Sequence, residues 1–222
     1  MKLNLVKDGL SPILGGLILF CMAGWFCRFM GWDKPAYAVC AVGTIYVLFM
    51  LYFFRDPDRV STARSNEFVA GADGLIRAVE IVNEKQWLKT ETVRISVFLN
   101  PFDVHVNRSP MGGKVTGLQY TPGLHVLTMN NRASDVNEHS SILIEGEKTR
   151  CLVKQIVGPI VRRVVYWLQL NQSIASGERI GMMKFGSRLD MYFPKDDVKV
   201  VVKKGDRVKA GITVVAVLAK EK

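Results

Sequence analysis

The residues Phe-Gly-Ser-Arg at positions 185–188 offer the most specific chemical possibility in this chain. They interrupt residues 179–194, RIGMMKFGSRLDMYFP, whose hydrophobic and then alternating pattern otherwise indicates a β-strand. A glycine inside a strand usually marks a bulge or a close backbone approach. The pair also permits chemistry, because an activated Ser187 hydroxyl can attack the carbonyl of Gly186, which lacks a β-carbon and tolerates strained backbone angles. A structural bulge and a reactive peptide bond are both open interpretations.

The reactive interpretation leads to a specific covalent group. Attack converts the amide into an ester, and elimination across the Cα–Cβ bond of the former serine then cleaves the chain. Hydrolysis of the resulting enamine leaves a pyruvoyl group on the new N-terminus. Such an α-keto amide forms a Schiff base with a substrate amine and accepts electrons, as pyridoxal phosphate does elsewhere. Ser187 is therefore the predicted nucleophile and the predicted source of a covalent cofactor.

A base that activates this serine near neutral pH is expected among the three histidines of the chain. His105 is the best candidate, because it shares a predicted strand face with Asp103 and Asn107, which could orient it. The alternative is a surface histidine on an edge strand. Asp73, in AGADGLI, is either a turn residue or the acid that orients a histidine in a nucleophile–base–acid arrangement.

Other cofactor chemistry is not indicated by the sequence. The four cysteines form no CxxC pair and have no Cys/His ligand spacing, so neither a zinc site nor a disulfide framework is expected. Cys151 lies alone in an apolar stretch and is expected in a strand core. Walker, GxGxxG and HExxH motifs are absent, which argues against nucleotide and metal cofactors.

Two uncharged runs, residues 9–27 and 35–54, each have about the length that a helix needs to cross a bilayer. They predict an anchoring helical hairpin over residues 1–54, with both ends in the cytoplasm by the positive-inside rule. Residues 55–222 predict a mostly antiparallel β domain of barrel- or sandwich-like hairpins with few helices. The net charge of +10 then favours an anionic membrane surface over nucleic acid as the polyanionic partner.

Four stretches together resemble the phosphatidylserine decarboxylase proenzymes, in particular their short bacterial and archaeal branch. They are FFRDPDR at 53–59, ADGLI at 72–76, FLNPFDVHVNRSPMGGKV at 98–115 and GERIGMMKFGSRLDMYFP at 177–194. The resemblance covers most of the chain beyond the predicted hairpin. Its most specific motifs are FGSR and FDVHVNR, whereas ADG alone would carry no weight.

The resemblance implies a zymogen that cleaves itself between Gly186 and Ser187. Residues 1–186 would become a β chain and residues 187–222 an α chain with a pyruvoyl N-terminus, and the two would stay associated. Asp73 and His105 would assist Ser187. The activity implied is decarboxylation of phosphatidylserine to phosphatidylethanolamine and CO2 at the cell membrane, without a metal. Whether the substrate is an archaeal ether-lipid analogue, and whether the enzyme is a homodimer, stays open.

Two departures from longer members concern individual roles. Arg108 stands where those members have a second histidine, so either His105 serves both maturation and decarboxylation, or Asp73 and Arg108 act without a second imidazole. Arg188 replaces the usual threonine after the serine. It is either a solvated charge on a strand or a group that binds the substrate, and substrate binding is also expected of Arg108.

Two other functions compete with the decarboxylase. The repeated turn-and-strand pattern is typical of lipoyl- or biotinyl-carrier domains, and Lys184 would then be the modified residue. A membrane scaffold without chemistry is the third hypothesis, in which the Gly-Ser pair is only a bulge.

Overall fold

The computed structural model describes residues 4–126, 128, 133–158, 164–184 and 187–219. It divides into two compact units, one ending at Asp58 and one beginning at Arg59. Gly186, the residue before the predicted cleavage point, lies outside the described residues.

The first unit contains two long helices, α1 (Leu10–Phe29) and α2 (Asp33–Phe53). Both are long and apolar enough to cross a membrane by length and composition, which confirms the helices expected from the two uncharged runs. They pack closely, since a β-carbon at Gly16 of α1 would come within 2.0 Å of the Tyr46 ring of α2. Small residues of this kind allow apolar helices to approach each other where no larger side chain would fit.

The second unit is built almost entirely from β-strands. They are β1 (Glu67–Val69), β2 (Gly74–Glu84), β3 (Thr90–Phe98), β4 (Val106–Arg108), β5 (Gly113–Thr121), β6 (His139–Glu145), β7 (Arg150–Ile156), β8 (Val164–Tyr166), β9 (Ser173–Ile174), β10 (Arg179–Met183), β11 (Arg188–Pro194), β12 (Val198–Val200), β13 (Arg207–Val208) and β14 (Val214–Leu218). A four-residue helix, α3 (Ala133–Val136), lies between β5 and β6.

Three antiparallel sheets organise these strands. The large sheet has the order β13-β2-β3-β11-β7-β6-β5-β9, and the two small sheets have the orders β1-β14-β12 and β4-β10-β8. Every strand pair in them is antiparallel. The predicted mostly antiparallel β fold with few helices is therefore confirmed.

Strand β11 lies in the middle of the large sheet and has two different faces. Its apolar side chains on one face, including Leu189 and Phe193, belong to the main hydrophobic core. The alternating residues on the other face are Arg188, Asp190 and Tyr192, which are also buried. The strand is thus enclosed on both sides, one apolar and one charged.

Two expectations about strand boundaries are wrong. Residues 179–194 do not form one strand with a bulge, because β10 ends at Met183 in a small sheet and β11 begins at Arg188 in the large one. Likewise, residues 102–105 do not form a strand that continues into β4; they are irregular, and the strand begins only at Val106.

Candidate active site

Ser187 lies at the point where the chain passes from one sheet to another. Its carbonyl oxygen accepts a hydrogen bond from the Leu99 amide at 3.0 Å, which adds one residue pair beyond the regular β3–β11 ladder. Ser187 falls two residues before Leu189 and therefore on the apolar face of β11. Its side chain is fully buried, and its hydroxyl oxygen has no hydrogen-bond partner among the described residues. A buried polar atom without a partner is uncommon in native proteins and calls for an explanation.

His105 is brought next to the strand that leads to this serine. Its carbonyl oxygen accepts a hydrogen bond from the Met183 amide at 3.3 Å, at the end of β10. The histidine is fully buried, so the alternative of a surface histidine on an edge strand is wrong. Its Nδ1 lies 3.0 Å from the Asp103 carbonyl oxygen. Because a carbonyl only accepts, Nδ1 carries the proton in the neutral ring, and Nε2 is the basic nitrogen.

Asp73 is bound to an arginine in this structure. Its carboxylate forms a two-pronged ion pair with Arg59, with Nη2 and Oδ2 separated by 2.8 Å, and both side chains are largely buried. The amide of Ala210 donates to Asp73 Oδ1 at 2.7 Å. Among its described contacts no histidine appears, so orientation of His105 by Asp73 stays a prediction. Arg59 was not anticipated, although FFRDPDR contains it.

The backbone near Asp73 nevertheless lies against β11. A β-carbon at Gly71 would approach the Leu189 side chain to 2.9 Å and the Arg108 carbonyl oxygen to 3.3 Å. The Arg108 amide donates to the Gly71 carbonyl at 2.9 Å. The segment that carries Asp73 is therefore held between β4 and β11, the strand that begins one residue after the candidate nucleophile.

Arg108 is buried in the same region. Its Nη1 donates to the carbonyl of Gly177 at 3.0 Å and to the carbonyl of Arg59 at 3.4 Å. These contacts tie it to the arginine that binds Asp73. A role in binding substrate stays a prediction.

Arg188 is held by an internal counter-ion. Its Nε lies 3.0 Å from Asp190 Oδ1, its Nη2 lies 3.0 Å from Asp190 Oδ2, and only 3% of the arginine side chain is exposed. Nη1 also donates to the Thr128 carbonyl at 3.0 Å, and Nη2 donates to the Ser134 hydroxyl. The alternative of a solvated strand charge is wrong, because this guanidinium is enclosed. Binding of substrate by Arg188 stays a prediction.

Further groups complete this charged face of β11. Ser134 donates to Asp190 at 2.7 Å, and Arg94 donates to Ser134 at 3.2 Å while pairing with Glu80. Burial, and then the neighbouring Asp190 carboxylate, raise the pKa of the Tyr192 hydroxyl. The hydroxyl therefore stays protonated and can donate to Asp190.

A hydrogen-bonded cluster of three polar side chains lies on the apolar side of the large sheet. Ser140 donates to Gln155 Oε1 at 2.7 Å, and Gln155 Nε2 donates to Asn107 Oδ1 at 2.7 Å. All three side chains are fully buried. Gln155 was missed from the sequence, yet it was detectable as a polar residue that alternates with core residues Cys151 and Val153 in β7.

Within the ranges that the structure describes, no group of three or more His, Cys, Asp or Glu side chains could hold a metal ion. The residues do fit a group made from Ser187 itself. Its side chain is enclosed and its hydroxyl has no partner among the described residues, while the Leu99 amide holds its backbone carbonyl.

The fold and the site together define a β-rich enzyme with a buried serine between two sheets. The family model for phosphatidylserine decarboxylase matches residues 46–216. A phosphatidylserine decarboxylase proenzyme of Prosthecochloris aestuarii (strain DSM 271 / SK 413) is 36% identical over 199 residues, 90% of this chain and 91% of the relative. One from Carboxydothermus hydrogenoformans (strain ATCC BAA-161 / DSM 6008 / Z-2901) is 41% identical over 168 residues, 76% of this chain and 79% of the relative.

The chain therefore belongs to the phosphatidylserine decarboxylase family, as its resemblance predicted. It is a decarboxylase, and this decides against the carrier and scaffold hypotheses. Lys184, the residue on which a carrier would depend, is half-buried directly after β10.

Proposed function

We propose that this enzyme decarboxylates phosphatidylserine to phosphatidylethanolamine and CO2 with a pyruvoyl group that it makes from its own Ser187. The observation that carries the proposal is the buried Ser187 hydroxyl, without a described partner, at the junction of two sheets. A serine that served only the fold would be expected to satisfy its hydroxyl in such a place.

His105 is the proposed base for the first step. Its Nδ1 proton is engaged by the Asp103 carbonyl, so Nε2 is the nitrogen able to accept the Ser187 proton. The oxygen then bonds to the carbonyl carbon of residue 186, and the amide C–N bond breaks as its nitrogen takes a proton. An ester joins the two parts of the chain at this stage.

Elimination and hydrolysis complete the maturation. A base removes the Cα proton of residue 187, the Cβ–Oγ bond breaks, and its electron pair stays on the oxygen, which departs within a carboxylate. Water then replaces the nitrogen of the resulting enamine, and ammonia leaves. No oxidant or metal is needed for this sequence of steps.

The finished pyruvoyl group supplies a keto carbonyl that condenses with the substrate amine and accepts the electrons of the breaking carboxyl bond. The chain holds residue 187 for this purpose through the Leu99 amide, which donates to its carbonyl, and through the ion pair of Arg188 with Asp190. Neither contact depends on the peptide bond that is cleaved.

We also propose that the enzyme is anchored in the cell membrane with its β domain on the cytoplasmic face. The support is the pair of helices α1 and α2, which are long and apolar enough to span a bilayer, and the net charge of +10. A basic domain beside an anionic leaflet is attracted to its lipid substrate, and this attraction weakens as salt is added.

Intact mass measurement of the purified protein under denaturing conditions tests the proposal. We expect two polypeptides divided before residue 187, the smaller with a pyruvoyl terminus, and CO2 release from phosphatidylserine vesicles. Ser187→Ala should remain one polypeptide without activity, whereas Ser65→Ala, at an exposed serine, should match the wild type. A wild-type chain that stays whole and is fully active would refute the mechanism.

A further inference from the structure

We infer that Asn107 is a further catalytic residue, whose side-chain amide donates a hydrogen bond to the Ser187 hydroxyl oxygen during self-cleavage. The inference rests on the proposed function, because it assigns a role within the same maturation. It starts from two buried polar atoms, Asn107 Nδ2 and Ser187 Oγ, neither of which has a hydrogen-bond partner among the described residues.

The orientation of the Asn107 amide is set by a chain of hydrogen bonds. The Ser140 hydroxyl donates to Gln155 Oε1, which directs Gln155 Nε2 toward Asn107. That nitrogen donates to Asn107 Oδ1, so the oxygen of Asn107 is engaged and its Nδ2 is turned away from Gln155. A buried amide with a satisfied acceptor and an unused donor is prepared to bind an oxygen atom.

Strand register places Gln155 and Ser187 on one side of the large sheet, and the hydrogen bond from Gln155 holds the Asn107 side chain on that side. Gln155 is directly opposite Leu189 in the β7–β11 pair and directly opposite Ser140 in the β6–β7 pair, so the three share a face. Ser187 belongs to the same face, two residues or roughly 7 Å along β11 from Leu189.

Asn107 is also close in the chain to the proposed base. It follows His105 by two residues and is the middle residue of β4, and both side chains are fully buried. Its backbone partner is Gly181, where a β-carbon would come within 3.1 Å of Gln155 Nε2. The absence of a side chain at this position therefore leaves room for the contact between Gln155 and Asn107.

A donor at Ser187 Oγ assists both bond changes proposed for this atom. In the attack, the oxygen loses its proton before its new bond is complete; in the elimination, it leaves with an electron pair as part of a carboxylate. Negative charge develops on the oxygen in each case, and hydrogen bonds to charged groups are stronger than those to neutral groups. The elimination gains most, because the departing oxygen becomes part of a carboxylate that keeps its negative charge.

The test follows maturation of full-length Asn107→Leu, with and without hydroxylamine. Hydroxylamine cleaves an accumulated ester and releases an α chain that begins with serine instead of pyruvoyl. We expect maturation about tenfold to a hundredfold slower, as for the loss of a bond to a charged oxygen, with a hydroxylamine-sensitive ester that the wild type does not accumulate. Asn83→Leu, at an exposed asparagine of β2, should mature at the wild-type rate.

One further variant and an uncleavable background separate chemistry from folding. Asn107→Asp retains an acceptor for Gln155 but has no donor, so it should accumulate the same ester. Each substitution is also placed in the uncleavable Ser187→Ala chain, where thermal unfolding reports only on the fold and should change little. Any of three results would overturn the assignment. They are maturation at the wild-type rate, slow maturation without an accumulated ester, and a large loss of thermal stability for both Asn107 substitutions in the Ser187→Ala chain. A wild type that never cleaves would instead refute the proposed function.

Discussion

The Leu99 amide donates to the Ser187 carbonyl oxygen across 3.0 Å and thereby attaches the first residue of the proposed α chain to β3. On the other side of the proposed cleavage point, the Met183 amide donates to the His105 carbonyl at 3.3 Å. The two attachments belong to different sheets. Each end of the short connection between β10 and β11 is therefore held independently of the peptide bonds that join them.

Cleavage should for this reason leave the two chains associated. Strand β11 of the α chain lies between β3 and β7 of the β chain, while β13 and β14 of the α chain pair with β2 and β1 of the β chain. The Ala210 amide adds a bond to Asp73 across the two chains. We expect both polypeptides to co-elute in gel filtration under native conditions and to separate only in denaturant. Loss of the α chain from native, active enzyme would contradict this expectation.

Substitution of Arg188 should destabilise the protein severely. Arg188→Met leaves Asp190 as a fully buried carboxylate without its main cation, which costs about 3–5 kcal/mol of unfolding free energy. The double variant Arg188→Met with Asp190→Leu removes both charges and should recover most of the loss. Urea unfolding of each in the Ser187→Ala chain measures the effect without interference from cleavage. If the unfolding free energy of the Arg188→Met variant lay within about 0.5 kcal/mol of that of the Ser187→Ala chain, the ion pair would contribute little to stability.

The sequence predicted the repeating parts of this fold well. Alternation of apolar and polar residues, of the kind seen in residues 92–99 of β3, indicated the β domain, and two uncharged runs identified α1 and α2. Such patterns are local, because each depends only on which face of an element is buried. The same alternation concealed the change of sheet between β10 and β11, since a strand that leaves one sheet for another keeps its period of two.

The sequence predicted the reactive residues of the site better than the ion pairs that hold its other side chains. Ser187 and His105 were identified from residue type and motif, and the structure shows both buried. The pairing of Asp73 with Arg59 joins separate segments, and no local pattern reports it. Arg188 with Asp190 was accessible in principle, because opposite charges two residues apart in a strand lie on one face.

The ion pair of Arg59 with Asp73 should be needed for both stability and maturation. Arg59→Met removes the cation from a largely buried carboxylate and should lower the unfolding free energy by about 3 kcal/mol or more. Arg59→Lys keeps the charge but loses the two-pronged geometry, so it should lower the unfolding free energy by less than Arg59→Met does. Unfolding in the Ser187→Ala chain and the cleaved fraction in the otherwise wild-type chain are the two measurements. Equal behaviour of the two variants would argue against the importance of geometry.

Cys151 should be chemically inert in the native protein. Burial raises the pKa of its thiol far above the usual range, so almost no thiolate is present at neutral pH to react. Iodoacetamide should leave Cys151 unmodified until denaturant is added, as judged by peptide mass spectrometry. Cys151→Ala should also mature normally. Rapid native alkylation at this position would contradict the enclosed position of the thiol in β7.

Gly74 should be required for maturation because of where it brings two strands together. It begins β2 with a φ of 147°, and a β-carbon there would lie 2.1 Å from the Phe98 carbonyl oxygen, a backbone atom that cannot move aside alone. Phe98 is paired with Arg188, so a shift of β3 would reach the residue after the nucleophile. We expect Gly74→Ala to remain largely uncleaved on denaturing gels. Gly112→Ala, whose β-carbon would meet nothing closer than 3.6 Å, should cleave as the wild type does, and equal cleavage of both variants would contradict this role for Gly74.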